Sequence, residues 1–221
     1  MSRPTTSPAR FDRAYFERAY RDYRKQNPPR KLAFYRALAV AAAPARARPR
    51  VLDVGCAFGL FLAALGPGWE RYGIDASEYA LDEARRNVPE AQLAPAGSGA
   101  LAFPGPFDVI TAFDVLEHVS ALGALVASIT GALARDGSFV FVVPVYDGPT
   151  GPLVRALDRD RTHVHKESRA FWLDLAPAEL EAVDWWGIYR YLLPGGYYVH
   201  RVTRRLRRYA PAIACRMRRK R

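Results

Sequence analysis

The chain has 221 residues, half of them hydrophobic, which is enough apolar side chain to fill the core of one α/β domain with extensions. Its formal net charge of +11 is unevenly spread: residues 1–50 carry +10, residues 51–200 carry −9 and residues 201–221 carry +10, so two basic ends flank an acidic centre suited to a cationic ligand. No uninterrupted apolar run of about 18 residues and no basic-then-apolar leader occurs, and the two cysteines, Cys56 and Cys215, have neither disulfide-framework nor metal spacing. A membrane-spanning chain, an exported one and a disulfide scaffold are therefore not expected, and a reducing cytoplasm is.

In chain order, the first segment is FDRAYFERAYRDYRKQNPPRKLAFYRAL, where Phe11, Tyr15, Tyr20, Tyr23, Leu32, Phe34 and Tyr35 interrupt a basic background. Asn27, Pro28 and Pro29 divide it into two predicted helices, because proline lacks the amide that would continue the first one. Two roles are open to them: covering an edge of the sheet, or closing as a lid over bound ligands.

Residues 51–59 read VLDVGCAFG and are followed by FLAAL. Val51, Leu52 and Val54 predict a buried strand, Gly55 to Gly59 a tight turn, and the apolar run after it a helix. Glycines without a Cβ let a ligand approach the backbone, and amides at the start of the helix can face a carboxylate or phosphate. A second short strand, Tyr72 to Ile74, ends at Asp75, which lies 22 residues after Asp53. An acid at that place can accept hydrogen bonds from both hydroxyls of a ribose. A nucleoside ligand follows, and Asp53, two residues before the first glycine, fits an ammonium or sulfonium better than a pyrophosphate.

At this point the chain resembles the class I S-adenosylmethionine (SAM) dependent methyltransferases, whose first motif is similar to Asp53, Gly55, Cys56, Ala57 and Gly59. Further segments match in order: FDVITAFDVLEHV (107–119) looks like that family's fourth strand and following loop, with the Leu116, Glu117, His118 triplet of its small-molecule branch; LARDGSFVFVVP (133–144) looks like the approach to its fifth strand; and THVHKES (162–168) resembles the Thr-His segment beyond. The resemblance runs from about Tyr15 to His200. It implies a Rossmann-like α/β fold with a seven-stranded, mostly parallel sheet, an antiparallel C-terminal strand and helices on both faces. It further implies SAM as cofactor and S-adenosylhomocysteine as product, with Asp53, Gly55, Cys56, Ala57 and Gly59 around the methionine end, Asp75 and Ala76 at the ribose, and Phe113 and Asp114 beside the sulfonium. Where the family often places an acid for the adenine amino group this chain reads GSGALAF, so Gly97 or Ser98 takes that position. The Asn27-Pro28-Pro29 string differs from the Asn-Pro-Pro-aromatic motif of adenine amino-methylating enzymes: its fourth residue is Arg30, and it precedes the first strand instead of following the fourth.

Past the fifth strand, SRAFWLDLAPAELEAV reads as helical, and VDWWGIYRYL with YYVHRV reads as an antiparallel pair joined through Pro-Gly-Gly. Transfer of a methyl group is an in-line displacement that needs a base only when the acceptor must lose a proton. His118 and His163 are the candidate catalytic residues for that role or for contact with the acceptor; packing beside Glu117 and bracing of the loop are their structural alternatives. His200 is read as structural. Residues His163, His165 and Glu167 lack a further ligand of convincing spacing, so no metal is expected.

Residues 201–221 place Val202, Leu206 and Tyr209 at helical spacing among arginines, downstream of Trp185, Trp186, Tyr189, Tyr191, Tyr197 and Tyr198. An anionic bilayer, RNA, or solvent around an exposed tail dispensable for the fold are the three readings of that composition. The whole reads as one domain, residues 1–221, with a basic helical cover over 1–50, a cofactor- and substrate-binding core over 51–200 and a basic tail over 201–221. The expected activity is methylation of a small-molecule acceptor at oxygen, with a lipid-linked or saccharide acceptor suggested by the tail and a cytoplasmic location at or near the inner membrane surface. RNA methylation and non-catalytic SAM binding are the alternatives.

Overall fold

The computed structural model describes residues 11–20, 22–97, 99–158, 160–175, 177–192 and 198–220. Three helices open the chain, α1 (Arg13–Tyr20), α2 (Tyr23–Gln26) and α3 (Pro29–Ala42). The predicted break at Asn27 and Pro28 is present, and Pro29 sits in the first turn of α3, where its missing amide costs no helical hydrogen bond. Then come β1 (Arg50–Val54), α4 (Leu60–Leu65), β2 (Glu70–Asp75), α5 (Glu78–Asn87), β3 (Gln92–Pro95), β4 (Phe107–Phe113), α6 (Leu122–Ala132) and β5 (Leu133–Pro144). The chain continues through α7 (Gly151–Leu157), α8 (Arg169–Leu173), β6 (Leu180–Leu192), β7 (Tyr198–Thr203) and β8 (Ala212–Arg219).

Among the described residues the strands form one sheet of eight in the order β3-β2-β1-β4-β5-β8-β6-β7. β1 to β5 pair in parallel, as strand–helix–strand crossovers require, and β8 is antiparallel to both β5 and β6. The sheet thus has the expected α/β, mostly parallel architecture, with one strand more than expected. Period-two alternation divides its side chains between two cores. Leu52, Ile110, Phe139, Phe141, Ile213, Cys215 and Met217 pack with α6 and Trp172 on one face, whereas Val51, Val109, Val140, Val142, Ala212 and Ala214 pack with α3, α4 and α5 on the other. Helices therefore cover both faces.

The C-terminal region corrects the sequence reading in three places. The helix expected over SRAFWLDLAPAELEAV ends after α8, and Leu180 to Val183 already belong to β6. The helical spacing of Val202, Leu206 and Tyr209 does not produce a helix of that length; β7 runs to Thr203 and only a single 3-10 turn, Arg207–Tyr209, follows. Most consequentially, the second half of the tail is not exposed, because β8 lies inside the sheet between β5 and β6 with Ile213, Ala214, Cys215 and Met217 fully buried, whereas most of residues 201–209 are exposed. The arginines of β8 have internal partners. Arg216 Nη1 donates to the carbonyl of Ala41 at 2.8 Å and Arg219 Nη2 to that of Thr130, in the last turns of α3 and α6, where helical carbonyls lack backbone donors and cations are favoured.

Candidate functional site

The glycine turn follows β1. Gly55 has φ +72°, and a Cβ there would meet Val115 Cγ2 at 2.3 Å, so only glycine fits the approach of the β4 loop. Ala57 is also left-handed at φ 45°, and Gly59, at φ 67°, caps α4. This strained turn is held from the next strand: the Ala57 amide donates to Asp75 Oδ2 and the Ser77 amide to Asp75 Oδ1, both at 2.8 Å. Ser77 then caps α5 by accepting from the Ala80 amide at 3.2 Å.

Behind the turn lies a cavity of about 450 Å³ at the C-terminal ends of β1, β2 and β4. That is the expected ligand position in an open α/β sheet. Asp53, Gly55, Cys56, Ala57, Asp75, Ala76, Gly97, Phe113, Asp114 and His118 line it, and Phe11 with Tyr15, Tyr23, Lys31 and Tyr35 of α1 to α3 complete the wall. Gly59 and His163 are not among the lining residues, and Ser98 lies outside the described ones. The N-terminal aromatics form a third cluster in which Tyr15 and Phe16 pack with Ala57, Phe58 and Ala80, which seats α1 over the turn. These helices are packed on the domain and wall the cavity.

Asp53 accepts a 2.6 Å hydrogen bond from Thr111 Oγ1, and burial, opposed by that bond, pushes its carboxyl up to about 7. Burial also raises Asp75, against the three backbone amides that favour its charge. Burial pushes the Cys56 thiol well up, which keeps it an inert small apolar residue. Asp114, left-handed at φ 60°, behaves oppositely. Burial disfavours its charge, but Arg190 bonds its Oδ1 and Lys31 Nζ stands 3.6 Å from Oδ2, and together they hold the carboxyl down to about 2. Lys31 in turn is pushed down to about 8 by burial, in spite of Asp114. Tyr35, whose hydroxyl donates to Asp114 at 3.3 Å, stacks on Phe113 with ring centroids 4.1 Å apart.

The four histidines separate into different environments. His118 lies in the 3-10 turn Leu116–His118 after β4; burial lowers its pKa to about 4, and its Nδ1 lies 2.8 Å from Thr162 Oγ1. His163 stands behind it, ring centroids 4.7 Å apart, with Nδ1 at 2.9 Å from Asp158 Oδ2 and 3.0 Å from the Tyr146 hydroxyl. His165 is turned away toward the Val119 carbonyl at 2.9 Å, and His200 packs against Phe34 and Tyr35. Glu117 is buried, and that burial raises its carboxyl well above the usual range; its backbone carbonyl accepts from the amides of Val164 and His165. Among the described residues Glu117, His118 and His163 bring one donor atom each within 4.8 Å of one another, so His163 is grouped with these two and not with His165 and Glu167. Three such donors are one fewer than a closed structural zinc site uses.

Of the residues that line the cavity, Asp53 and Asp75 were legible from motif spacing, Asp114 and His118 from the family resemblance and Tyr35 as one of the N-terminal aromatics, whereas Lys31 there, and Arg190, Tyr146, Asp158 and Asp160 around it, were not singled out. Thr162 was visible only as part of the Thr-His segment. Lys31 sat in a uniformly basic stretch, and Arg190 lies 76 residues from its partner, so neither carried a local signal.

A methyltransferase-domain family matches residues 20–210. Curated relatives include the ubiquinone biosynthesis O-methyltransferases of Thiobacillus denitrificans, 40% identical over 99 residues, and of Methylococcus capsulatus, 39% identical over 99 residues. Those alignments take in 42% of this chain and 42% and 41% of the relatives, so the match spans less than half of their length. Among solved structures, a SAM-dependent methyltransferase from Thermotoga maritima superposes with TM-score 0.69 at 15% identity, covering 94% of this chain and 99% of that one. Another from Clostridium acetobutylicum gives TM-score 0.61 at 16% identity over 93% and 96% of the two chains. At such identities the likeness is one of fold.

Proposed function

The chain belongs to the methyltransferase-domain family, in the class I SAM-dependent fold, and we propose that it transfers a methyl group from SAM to a hydroxyl of a small-molecule acceptor in the cavity walled by α1 to α3. The observation that carries this reading is the joining of two features on one cavity: a left-handed glycine turn tied to Asp75, and a neutral imidazole, His118, on the same wall. The oxygen acceptor is supported by the O-methyltransferase relatives over the part they share.

The residues fit the cofactor. The turn at Gly55 leaves no room for a Cβ and brings backbone close to the cavity, and the Asp75 carboxylate has lone pairs beyond those used by the backbone amides it already accepts from. Asp75 with Ala76 would hold the ribose, Asp53 to Gly59 the methionine end, and Phe113 and Asp114 the surroundings of the sulfonium, beside the acidic walls that a cation requires. Bound SAM supplies an electrophilic methyl group with a neutral thioether as leaving group. The protein then has to align the acceptor, exclude water and receive a proton. The aromatic cover of Phe11, Tyr15, Tyr23 and Tyr35 excludes water. His118, uncharged at neutral pH, takes the hydroxyl proton, and His163 braces it from behind.

A panel of phenols, catechols and sugars assayed with methyl-labelled SAM tests the reaction. Labelled product should form with one acceptor class, and His118→Ala should reduce its rate about 100-fold while calorimetry shows unchanged SAM binding. Full turnover in that variant overturns the base assignment; SAM binding with no product from any hydroxyl overturns O-methylation in favour of a binding scaffold or another acceptor.

A second reading concerns location. No helix among the described residues is long and apolar enough to cross a membrane. Leu153 and Leu157 are exposed one turn apart on α7, and Leu206 and Tyr209 are exposed on the β7–β8 connection, which α7 adjoins through the Thr150 hydroxyl bond to the Tyr209 carbonyl at 3.1 Å. Arg155, Arg205 and Arg208 are exposed on the same two segments. Three exposed leucines and one tyrosine interleaved with arginines have the composition of a surface that lies on anionic lipid. This surface replaces residues 201–221 as a whole, and it would place the protein peripherally on an anionic bilayer with a lipid-linked or saccharide acceptor within reach. Co-sedimentation with vesicles should show binding to anionic but not neutral lipid, lost in Leu153→Asp/Leu206→Asp; equal behaviour of both proteins rejects it, and RNA binding by the unaltered protein would favour an RNA substrate.

A further inference from the structure

Around His118 the hydrogen-bond donors can be counted, and the count decides which imidazole nitrogen carries the proton. Thr162 is buried, and its Oγ1 lies 2.6 Å from Asp160 Oδ1 and 2.8 Å from His118 Nδ1. A hydroxyl has one hydrogen to donate. Asp160 is ionised: burial opposes its charge, but the Thr162 hydroxyl and the Thr162 amide, the latter at 2.8 Å, both donate to Oδ1 and hold its pKa below the usual value. A carboxylate can only accept, so the Thr162 hydrogen goes to Asp160 and the Thr162 oxygen is left to accept from the ring. His118 must then donate through Nδ1. A neutral imidazole has one N–H, so Nε2 keeps its lone pair, on a side chain that lines the cavity.

We infer that Asp160 and Thr162 form a hydroxyl-linked relay that fixes His118 as its Nδ1–H tautomer, with Nε2 as the nitrogen that receives the acceptor's proton. Both are positioning residues, since neither lines the cavity. The inference rests on the proposed base role of His118 only for its second half; the tautomer stands on the hydrogen bonds. Once Nε2 takes the hydroxyl proton, the ring becomes an imidazolium with Nδ1–H still directed at Thr162, and the charge of Asp160, passed through one hydroxyl, stabilises it; the proton leaves later to solvent. The relay also reaches the cover over the cavity. The Tyr15 hydroxyl of α1 donates to Asp160 Oδ2 at 3.3 Å, and the Asp160 amide donates to Asp158 Oδ1 at 3.0 Å, so the acid is held from the helix in front and the loop behind.

The test is spectroscopic and uses the full chain labelled with 15N-histidine, the His118 signals being identified by their loss in His118→Gln. Long-range proton–nitrogen correlation at neutral pH should show His118 with a pyrrole-type Nδ1 and a pyridine-type Nε2. Thr162→Val, which removes the hydroxyl but keeps the shape, should convert His118 to a mixture of tautomers or to Nε2–H, and Thr162→Ser should restore the Nδ1–H form. A pyrrole-type Nε2 in the unaltered protein overturns the inference, as does a Thr162→Val protein whose His118 signals do not change. If Thr162→Val does not fold, the unaltered protein and Thr162→Ser still decide it. Full turnover by His118→Ala together with an Nδ1–H signal would remove the base reading and leave the tautomer assignment standing.

Discussion

Removing residues 201–221 should abolish folding, although a chain segment with ten basic and no acidic side chains invites the opposite expectation. The truncation deletes β8, which pairs with β5 from Ser138↔Arg218 to Pro144↔Ala212 and with β6 from Leu180↔Arg219 to Ile188↔Ala212. Fully burying Ile213 and Met217 is worth about 1.5–3 kcal/mol each, and each lost ladder hydrogen bond costs about 0.5–1.5 kcal/mol net. Several such bonds on each side of β8, added to the two side chains, reach the roughly 5–15 kcal/mol that keeps a whole domain folded. The cut also leaves β5 and β6 as unpaired apolar edges, which promotes aggregation. The comparison is a chain ending at His200 against the full chain, followed by circular dichroism, thermal melting and SAM calorimetry. A milder control, Met217→Ala in the full chain, should still fold but lose about 2–5 kcal/mol. A soluble fragment 1–200 that melts cooperatively and binds SAM would refute the reasoning.

Asp75→Ala should weaken SAM binding at least about tenfold in calorimetry, since losing charge-assisted hydrogen bonds costs roughly 1.5–3 kcal/mol, and its melting temperature should fall as well because the Ala57 and Ser77 amides lose their acceptor. Gly55→Ala should destabilise the chain by more than a surface change does, because the new Cβ would have to displace Val115; an unchanged melt would show that the turn relaxes freely. Asp53 has a folded pKa of about 7, above its unfolded value of 3.8, so the folded state holds the extra proton between these values and stability falls as pH rises through that window. Asp53→Asn should flatten this loss in melts taken at pH 5 and pH 8, and an equal decline in both proteins would contradict the assignment. Tyr15→Phe should loosen α1 with little effect on the core, seen as faster amide exchange in residues 13–20 alone.

The parts of this protein that the sequence determines are those whose physical cause lies within a short window. A run of β-branched residues makes β1, a glycine that must take a positive φ makes the turn after it, and an acid closing the next strand falls beside that turn because two parallel strands bring their C-terminal ends together. Ser77 at the head of α5 and Pro29 at the head of α3 are equally local. Tertiary structure decided the rest, because its causes are pairings across long separations. Nothing in AIACRMRR distinguishes a buried strand from an interfacial tail until its arginines are seen donating to carbonyls 175 and 89 residues away and its apolar side chains to be shared between two cores. In the same way the family resemblance pointed to Asp114 and His118, whereas Arg190, 76 residues from Asp114, and Thr162, 44 residues from His118, set the charge of the one and the hydrogen-bond partner of the other. Periodicity and backbone conformation are properties of neighbouring residues; electrostatic environment belongs to whatever the fold brings alongside.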